Sequence, residues 1–265
     1  MENRKVDQGI LAKALKELGI ECGDTVFLHS SLKSLGYVDG GPETVIKAFL
    51  SVLGNSGTLA VPTFHNFFWD SPDQVWDRQN TPSKMGIISE TLRKMPEAFH
   101  SPHAPHPIAA VGRLAEDLTE RYNFSDFSDD SAFARMIELN AAIVMLGVSF
   151  DRCTLFHLFE EKYQVPYRQW QEFSGTVIDN GVEEFKSFPF YMNFIPGVEN
   201  NFSKCEHDMH EAGEIAYAYA GKAKIMMARA QNIADFISPK IQNDPFYLAS
   251  NESCEISKKY FSKIQ

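Results

Sequence analysis

Residues 141–148 of this 265-residue chain, Ala-Ala-Ile-Val-Met-Leu-Gly-Val, form an unbroken apolar run. A run so short, closed by glycine and polar residues, reads as a strand buried on both faces, and such strands belong to sheets covered by helices. Two earlier strands fit the same scheme. Residues 25–28 (Thr-Val-Phe-Leu) read as a strand, residues 44–53 as a helix and residues 58–62 (Thr-Leu-Ala-Val-Pro) as a strand again. This β-loop-α-β order predicts an α/β fold with a central, largely parallel sheet flanked by helices.

Other segments extend the pattern. Val6, Ile10, Leu11, Leu15 and Leu18 fall at helical spacing before Gly19, so residues 6–19 are predicted helical. Helices are also expected at 86–94 and 113–122, with a strand at 108–112. Residues 63–83 carry aromatics, Asp, Asn and Pro without periodicity and read as a long irregular segment. Short apolar groups alternate around Asp179-Asn180-Gly181, which predicts an antiparallel hairpin within 168–200. The alanine-rich stretch 206–238 reads as helix, so the C-terminal part should hold an antiparallel hairpin and a helical segment. No repeat or linker divides the chain, and one domain spanning 1–265 is expected.

The net charge of −10 opposes nucleic acid or an anionic membrane as a partner, since both favour a basic surface. Cys22, Cys153, Cys205 and Cys254 are scattered with no CxxC pair, which fits a reducing cytoplasm, and no apolar run approaches a membrane span. A cytoplasmic protein is expected.

Candidate chemistry lies just after the 141–148 strand, in Thr154-Leu-Phe-His157-Leu-Phe-Glu160-Glu161. Three residues apart on a helix, His157 and Glu160 share a face. A carboxylate there fixes the imidazole's orientation and suits a general base working near neutral pH. After the first strand, His29-Ser-Ser-Leu-Lys-Ser-Leu-Gly36 offers hydroxyls and backbone N–H groups that can cradle an anion, or serve only a local turn. Neither the Walker GxxxxGK[ST] nor the Rossmann GxGxxG is present, so ATP and NAD chemistry lose support. His100-Ser-Pro-His103-Ala-Pro-His106 invites a zinc reading, hence a metal-dependent hydrolase. Its two prolines forbid a regular helix, and no Cys or carboxylate inside the cluster completes a tetrahedral set. No metal site is assigned, and one of these histidines is expected to line a substrate pocket.

These pieces together resemble the aminoglycoside 3-N-acetyltransferase family. The resemblance rests on Leu28-His-Ser-Ser-Leu-Lys-Ser-Leu-Gly36 with Gly40-Gly41, on Gly57-Thr-Leu-Ala-Val-Pro-Thr63, and on Pro82-Ser-Lys-Met-Gly86 with Glu90 and Arg93. Ser101, His103, Ala109-Ala110 and Gly112 also match, as do Leu146-Gly-Val148, Thr154, His157 and Glu160. It covers about residues 10–170; the C-terminal third matches loosely.

The resemblance implies transfer of an acetyl group from acetyl-CoA directly to an amine of an amino sugar. His157 is then the general base and Glu160 its orienter. His29, Ser30, Ser31, Leu32, Ser83 and Thr154 are expected on the acetyl-CoA side, and Thr63, His65, Ser101, His103 and Arg168 on the acceptor side. Arg168 would meet a phosphate or carboxylate, or else form a structural ion pair.

Departures from the family pattern bear on the acceptor. The family's Arg-Ser-x-His-Pro is His100-Ser-Pro-His103-Ala104 here, and Pro107 replaces an expected serine. Residues 64–70 lack the acidic pattern that would welcome a polycation. Residues 161–168 with Phe173-Ser-Gly175 look like a branch encoded with surface-polysaccharide biosynthesis. A biosynthetic amino sugar is therefore the expected acceptor, with an aminoglycoside antibiotic as its rival and a catalytically retired homologue as a third reading. Monomer and homodimer both stay open.

Overall fold

The computed structural model describes residues 5–65, 74–121 and 124–262. Its strands in chain order are β1 (Thr25–Ser30), β2 (Thr58–Pro62), β3 (Val75–Asp77), β4 (Phe99–His100), β5 (Ile108–Gly112), β6 (Ala142–Leu146), β7 (Arg168–Asp179), β8 (Val182–Asn193), β9 (Ala216–Ala220) and β10 (Ala223–Arg229). Helices are α1 (Gln8–Glu17), α2 (Leu32–Leu35), α3 (Gly41–Leu53), α4 (Ile87–Arg93), α5 (Ala115–Thr119), α6 (Ala132–Glu138), α7 (Phe156–Lys162), α8 (Phe202–Glu211), α9 (Ala230–Asn243) and α10 (Asn251–Phe261).

Seven strands form the main sheet in the order β4-β5-β2-β1-β6-β10-β9. Side chains alternate between its two faces, as the pleat requires. Phe27, Ala60, Ile143, Met145 and Met226 enter one apolar cluster, while Val26, Leu28, Leu59, Val144 and Ile225 enter the other. Both faces are thus dry, which explains why the strands read as continuous apolar runs. The central strands β2, β1 and β6 are parallel. The flanking strands pair antiparallel, β5 on β2 at one side and β10 on β6 at the other.

The α/β architecture agrees with the sequence reading, and the main difference lies in the C-terminal part. The 206–238 stretch is not one helix: α8 ends at Glu211, then β9 and β10 form a hairpin before α9. Alanine favours helix in isolation, but Ala216-Tyr-Ala-Tyr-Ala220 also alternates with period two, and pairing against β10, itself paired to β6, overrides propensity. The irregular 63–83 segment contains β3, and residues 66–73 of it lie outside the described residues. Tyr122, the expected end of a helix, also lies outside them; the helix itself is the short α5.

A second sheet, β3-β7-β8, contains the hairpin expected around Asn180. Arg78 ties it to the main sheet: its Nη1 donates to Asp179 at 2.9 Å and its Nε to the His100 carbonyl at 2.9 Å. No helix among the described residues is long and apolar enough to cross a membrane.

Candidate active site

Ligand crevices in α/β proteins open beyond the carboxyl ends of the parallel strands. Such a cavity, of about 520 Å³, lies beyond β1, β2 and β6 here. His29, Ser30, Pro62, Val148, Thr154 and His157 line it, together with Phe64, His106 and Phe202.

Its floor depends on how the chain leaves β6. Gly147 has φ +66°, and a Cβ there would lie 1.6 Å from Ser34 Oγ. Only glycine lets the α2 loop approach the strand end so closely. Ser31 N–H donates to the Leu146 carbonyl at 2.9 Å, and Ser34 Oγ donates to the Ser31 carbonyl at 2.7 Å. Beyond Gly147 a 3₁₀ turn, Phe150–Arg152, is held by Glu206, which accepts from Phe150 N–H at 2.7 Å. Helix α7 follows, with its apolar residues packed inward and His157 at the cavity edge.

His157 Nδ1 lies 2.5 Å from Glu160 Oε2. The Glu160 side chain is 0% exposed, whereas His157 keeps 23% exposure. Every polar group around Glu160 is a donor. Tyr167 O–H donates to Oε1 at 2.8 Å, and Arg168 Nη2 reaches Oε2 at 2.9 Å. The Asn200 amide, oriented to satisfy both neighbours, donates to Glu160 Oε1 at 3.3 Å and accepts from Arg168 at 3.2 Å. Burial alone would raise the Glu160 carboxyl, but Arg168 and His157 outweigh it and hold it below the usual carboxylate range. Burial, then Arg168, pushes His157 below its ordinary value of 6.5 against the opposing pull of Glu160. The ring is therefore neutral at pH 7, with its Nδ1 proton donated to Glu160. Arg168 Nη2, 3.2 Å from that same Nδ1, is a contact rather than a second hydrogen bond. Nε2 remains as the basic nitrogen.

His29 lines the cavity with 6% exposure; burial lowers its pKa to about 3, and its Nε2 makes no protein hydrogen bond. Ser30 and Thr154 line the same space. Ser31 instead caps α2, and Leu32 packs into the sheet-face cluster. Ser83 N–H donates to Glu90 Oε2 at 2.8 Å, and Glu90 pairs with Arg93 at 2.8 Å. This network pins the 82–86 segment at the cavity wall.

The expected acceptor-side residues part company. Arg168 is buried behind Glu160, where Nη1 donates to the Tyr191 carbonyl at 3.0 Å; it holds the Glu160 carboxylate instead of lining the cavity. Ser101 Oγ accepts from Ile108 N–H at 2.9 Å, a bond that closes the 100–107 loop. Thr63 N–H donates to the Pro107 carbonyl at 2.8 Å beside the wall, and His65 is half-buried next to it. His103 is buried against Phe188 and bonded to Asp126, outside the main cavity. Of the three loop histidines, His106 faces the cavity. Its Nδ1 bonds Asp126 Oδ2 at 2.7 Å and its ring stacks on Phe190.

The loop histidines do not converge on one point. His100 Nε2 bonds the Arg93 carbonyl at 2.7 Å, and His103 and His106 share Asp126. Among the described residues no group of three or more His, Cys, Asp or Glu is placed to hold a metal. Cys153 lines the cavity fully buried, with burial pushing its thiol far up.

Sequence reasoning missed Asp126, Tyr167, Asn200 and Phe202, which come from distant parts of the chain. His106 was visible in the three-histidine loop, but nothing in the spacing separated it from His103.

A neutral histidine held by a buried carboxylate, at the strand ends of an α/β sheet, is an arrangement chemically able to accept a proton. Comparison with known proteins gives the family. Residues 27–242 match the family model described as aminoglycoside 3-N-acetyltransferase. Aminoglycoside N(3)-acetyltransferase VII of Streptomyces paromomycinus is 30% identical over 254 residues, covering 85% of this chain and 88% of that protein. A solved aminoglycoside acetyltransferase AAC(3)-IVa mutant in complex with a gentamicin has a TM-score of 0.80 at 25% identity, covering 94% of this chain and 93% of that one. AAC-IIIb, solved as a binary complex with CoASH, shares the fold with a TM-score of 0.79 at 19% identity, covering 89% and 96%. The chain belongs to the aminoglycoside 3-N-acetyltransferase family, N-acetyltransferases whose cosubstrate is acetyl-CoA.

Proposed function

We propose that the chain transfers the acetyl group of acetyl-CoA to an amine of an aminoglycoside, with His157 as general base. The observation that carries the mechanism is the Glu160–His157 pair, whose Nδ1 is engaged and whose ring edge opens to the cavity. Acetyl-CoA supplies the acyl group as a thioester. The residues present suit it: Lys84 and Arg152 line the cavity as cations, and the buried His29 Nε2 makes no protein hydrogen bond.

The protein's part is proton handling and exclusion of water. An amine must lose a proton as it attacks the thioester carbonyl, and neutral His157 Nε2 accepts it. Glu160 stabilises the imidazolium so formed. The imidazolium then returns the proton to the departing thiolate, leaving the base neutral for the next turnover. Tyr167, Arg168 and Asn200 hold Glu160 in place. The buried Cys153 thiol, pushed up by burial, is unsuited to act as a nucleophile.

A biosynthetic amino sugar bearing phosphate is the second reading, and one observation favours it. Among the described residues the cavity wall carries one acid, Asp151, whereas a polycation calls for several. Incubation with acetyl-CoA and each acceptor class, followed by mass spectrometry, separates the two. One added acetyl group on a gentamicin-type aminoglycoside supports the first reading. Acetylation of nucleotide-linked amino sugars alone replaces it with the second.

A further inference from the structure

Two histidine–carboxylate pairs face the same cavity, and the mechanism above uses one. His106 and His157 both line it, with ring centres 6.4 Å apart. Each has its Nδ1 engaged by a buried carboxylate, Asp126 for His106 and Glu160 for His157, so each has Nε2 left. Both rings therefore border the same acceptor space. Phe64 packs edge-on against His106 and Phe202 lies against His157, and both phenylalanines line the cavity. Aromatic walls of this kind exclude water, and loss of water disfavours the charge of an ammonium group.

The proton balance of the reaction asks for a second acceptor. An amino-sugar amine is largely ammonium at neutral pH, and its conversion to an amide breaks two N–H bonds as one C–N bond forms and the C–S bond breaks. One proton ends on the thiolate and one leaves. We infer that His106, held by Asp126, takes the first proton from the bound ammonium and passes it to solvent, while His157 takes the second during attack. The inference rests on the acetyl-transfer reading.

Asp126 is suited to this task. Burial would raise its carboxyl, but His103 and His106 outweigh burial and hold it far below the usual range, so it stays an anion. His103 lies behind it as the second group that fixes its position. Among the described residues, Asp126, His157 and the rings of Phe64, Phe127 and Phe190 face His106, and His103 and Arg121 border the small space on its far side.

The test is the pH profile of kcat/KM for an acceptor whose amine has a known pKa, in wild type and in His106→Gln. If His106 strips the ammonium, the wild type reaches its plateau below the amine's own pKa. His106→Gln then loses about 10²-fold near pH 7. That loss closes as pH rises to the amine's pKa, because solvent has by then removed the first proton. Asp126→Asn should move the same way by less. A wild-type profile that climbs to the amine's pKa overturns the inference without any variant, and so does a His106→Gln profile parallel to wild type. Absence of wild-type turnover with every acceptor removes the acetyl-transfer reading itself, a distinct outcome.

Discussion

Glu160→Gln replaces a carboxylate by an amide of the same shape, and the structure fixes its cost. Four donors converge on the two carboxylate oxygens: His157 Nδ1–H, Arg168 Nη2, the Tyr167 hydroxyl and the Asn200 amide. An amide offers one acceptor and one donor, so its NH₂ must face two of those donors. Tyr167 can turn its hydroxyl to accept. Asn200 can turn only by withdrawing its oxygen from Arg168. The guanidinium, buried with its Nε already lacking a protein hydrogen bond, is then left without its counter-charge. Removing one partner of a buried ion pair costs about 3–5 kcal/mol. For a chain of this size that is roughly 6–10 °C in thermal midpoint, at about 2 °C per kcal/mol. Calorimetry, with urea unfolding as a second measure, should show the loss. Adding Arg168→Met should recover part of it, since the stranded charge is then gone. A Glu160→Gln protein as stable as wild type, or a double variant worse than the sum of its singles, would refute this account of the buried pair.

Three further outcomes are expected. NMR titration of the His157 ring should give a midpoint below 6.5. Because the unfolded chain then binds more protons, His157 contributes stability above about pH 6.5 that is lost as pH falls through that window; a midpoint above 6.5 would contradict the burial argument. A thiol reagent should label Cys22, which is exposed, while sparing Cys153 and leaving turnover intact; inactivation through Cys153 would speak for covalent catalysis. Gly147→Ala should cost about 1–3 kcal/mol by urea unfolding, since φ is +66° and Ser34 must give way; a loss under about 0.5 kcal/mol would show that the α2 loop moves freely.

Legibility from sequence followed burial and locality. β1, β2, β5 and β6 are buried on both faces, so their apolar runs announced them. β9 and β10 did not: alternating alanine and tyrosine in β9 satisfies helix and strand alike, and only the ladder of β9 on β10 and of β10 on β6 decides. His157 and Glu160 were readable because three helical residues put them on one face. Asp126 lies 20 residues from His106 in the chain, and Asn200 lies 32 from Arg168, so no local pattern joins them. Which of His103 and His106 faces the cavity is settled by two prolines and the Ser101–Ile108 bond, a geometry no spacing rule supplies. Arg168, which by chemistry alone suits a ligand anion or a structural ion pair, forms the ion pair, with Glu160.

The most direct test of the central claim is thiol release from acetyl-CoA with a responsive acceptor amine, wild type beside His157→Ala. The account predicts a fall of about 10²–10⁴-fold in kcat for the variant, with acetyl-CoA binding by calorimetry and thermal unfolding close to wild type. Turnover within about 3-fold of wild type, well inside the range general-base catalysis supplies, would show that His157 is not the base.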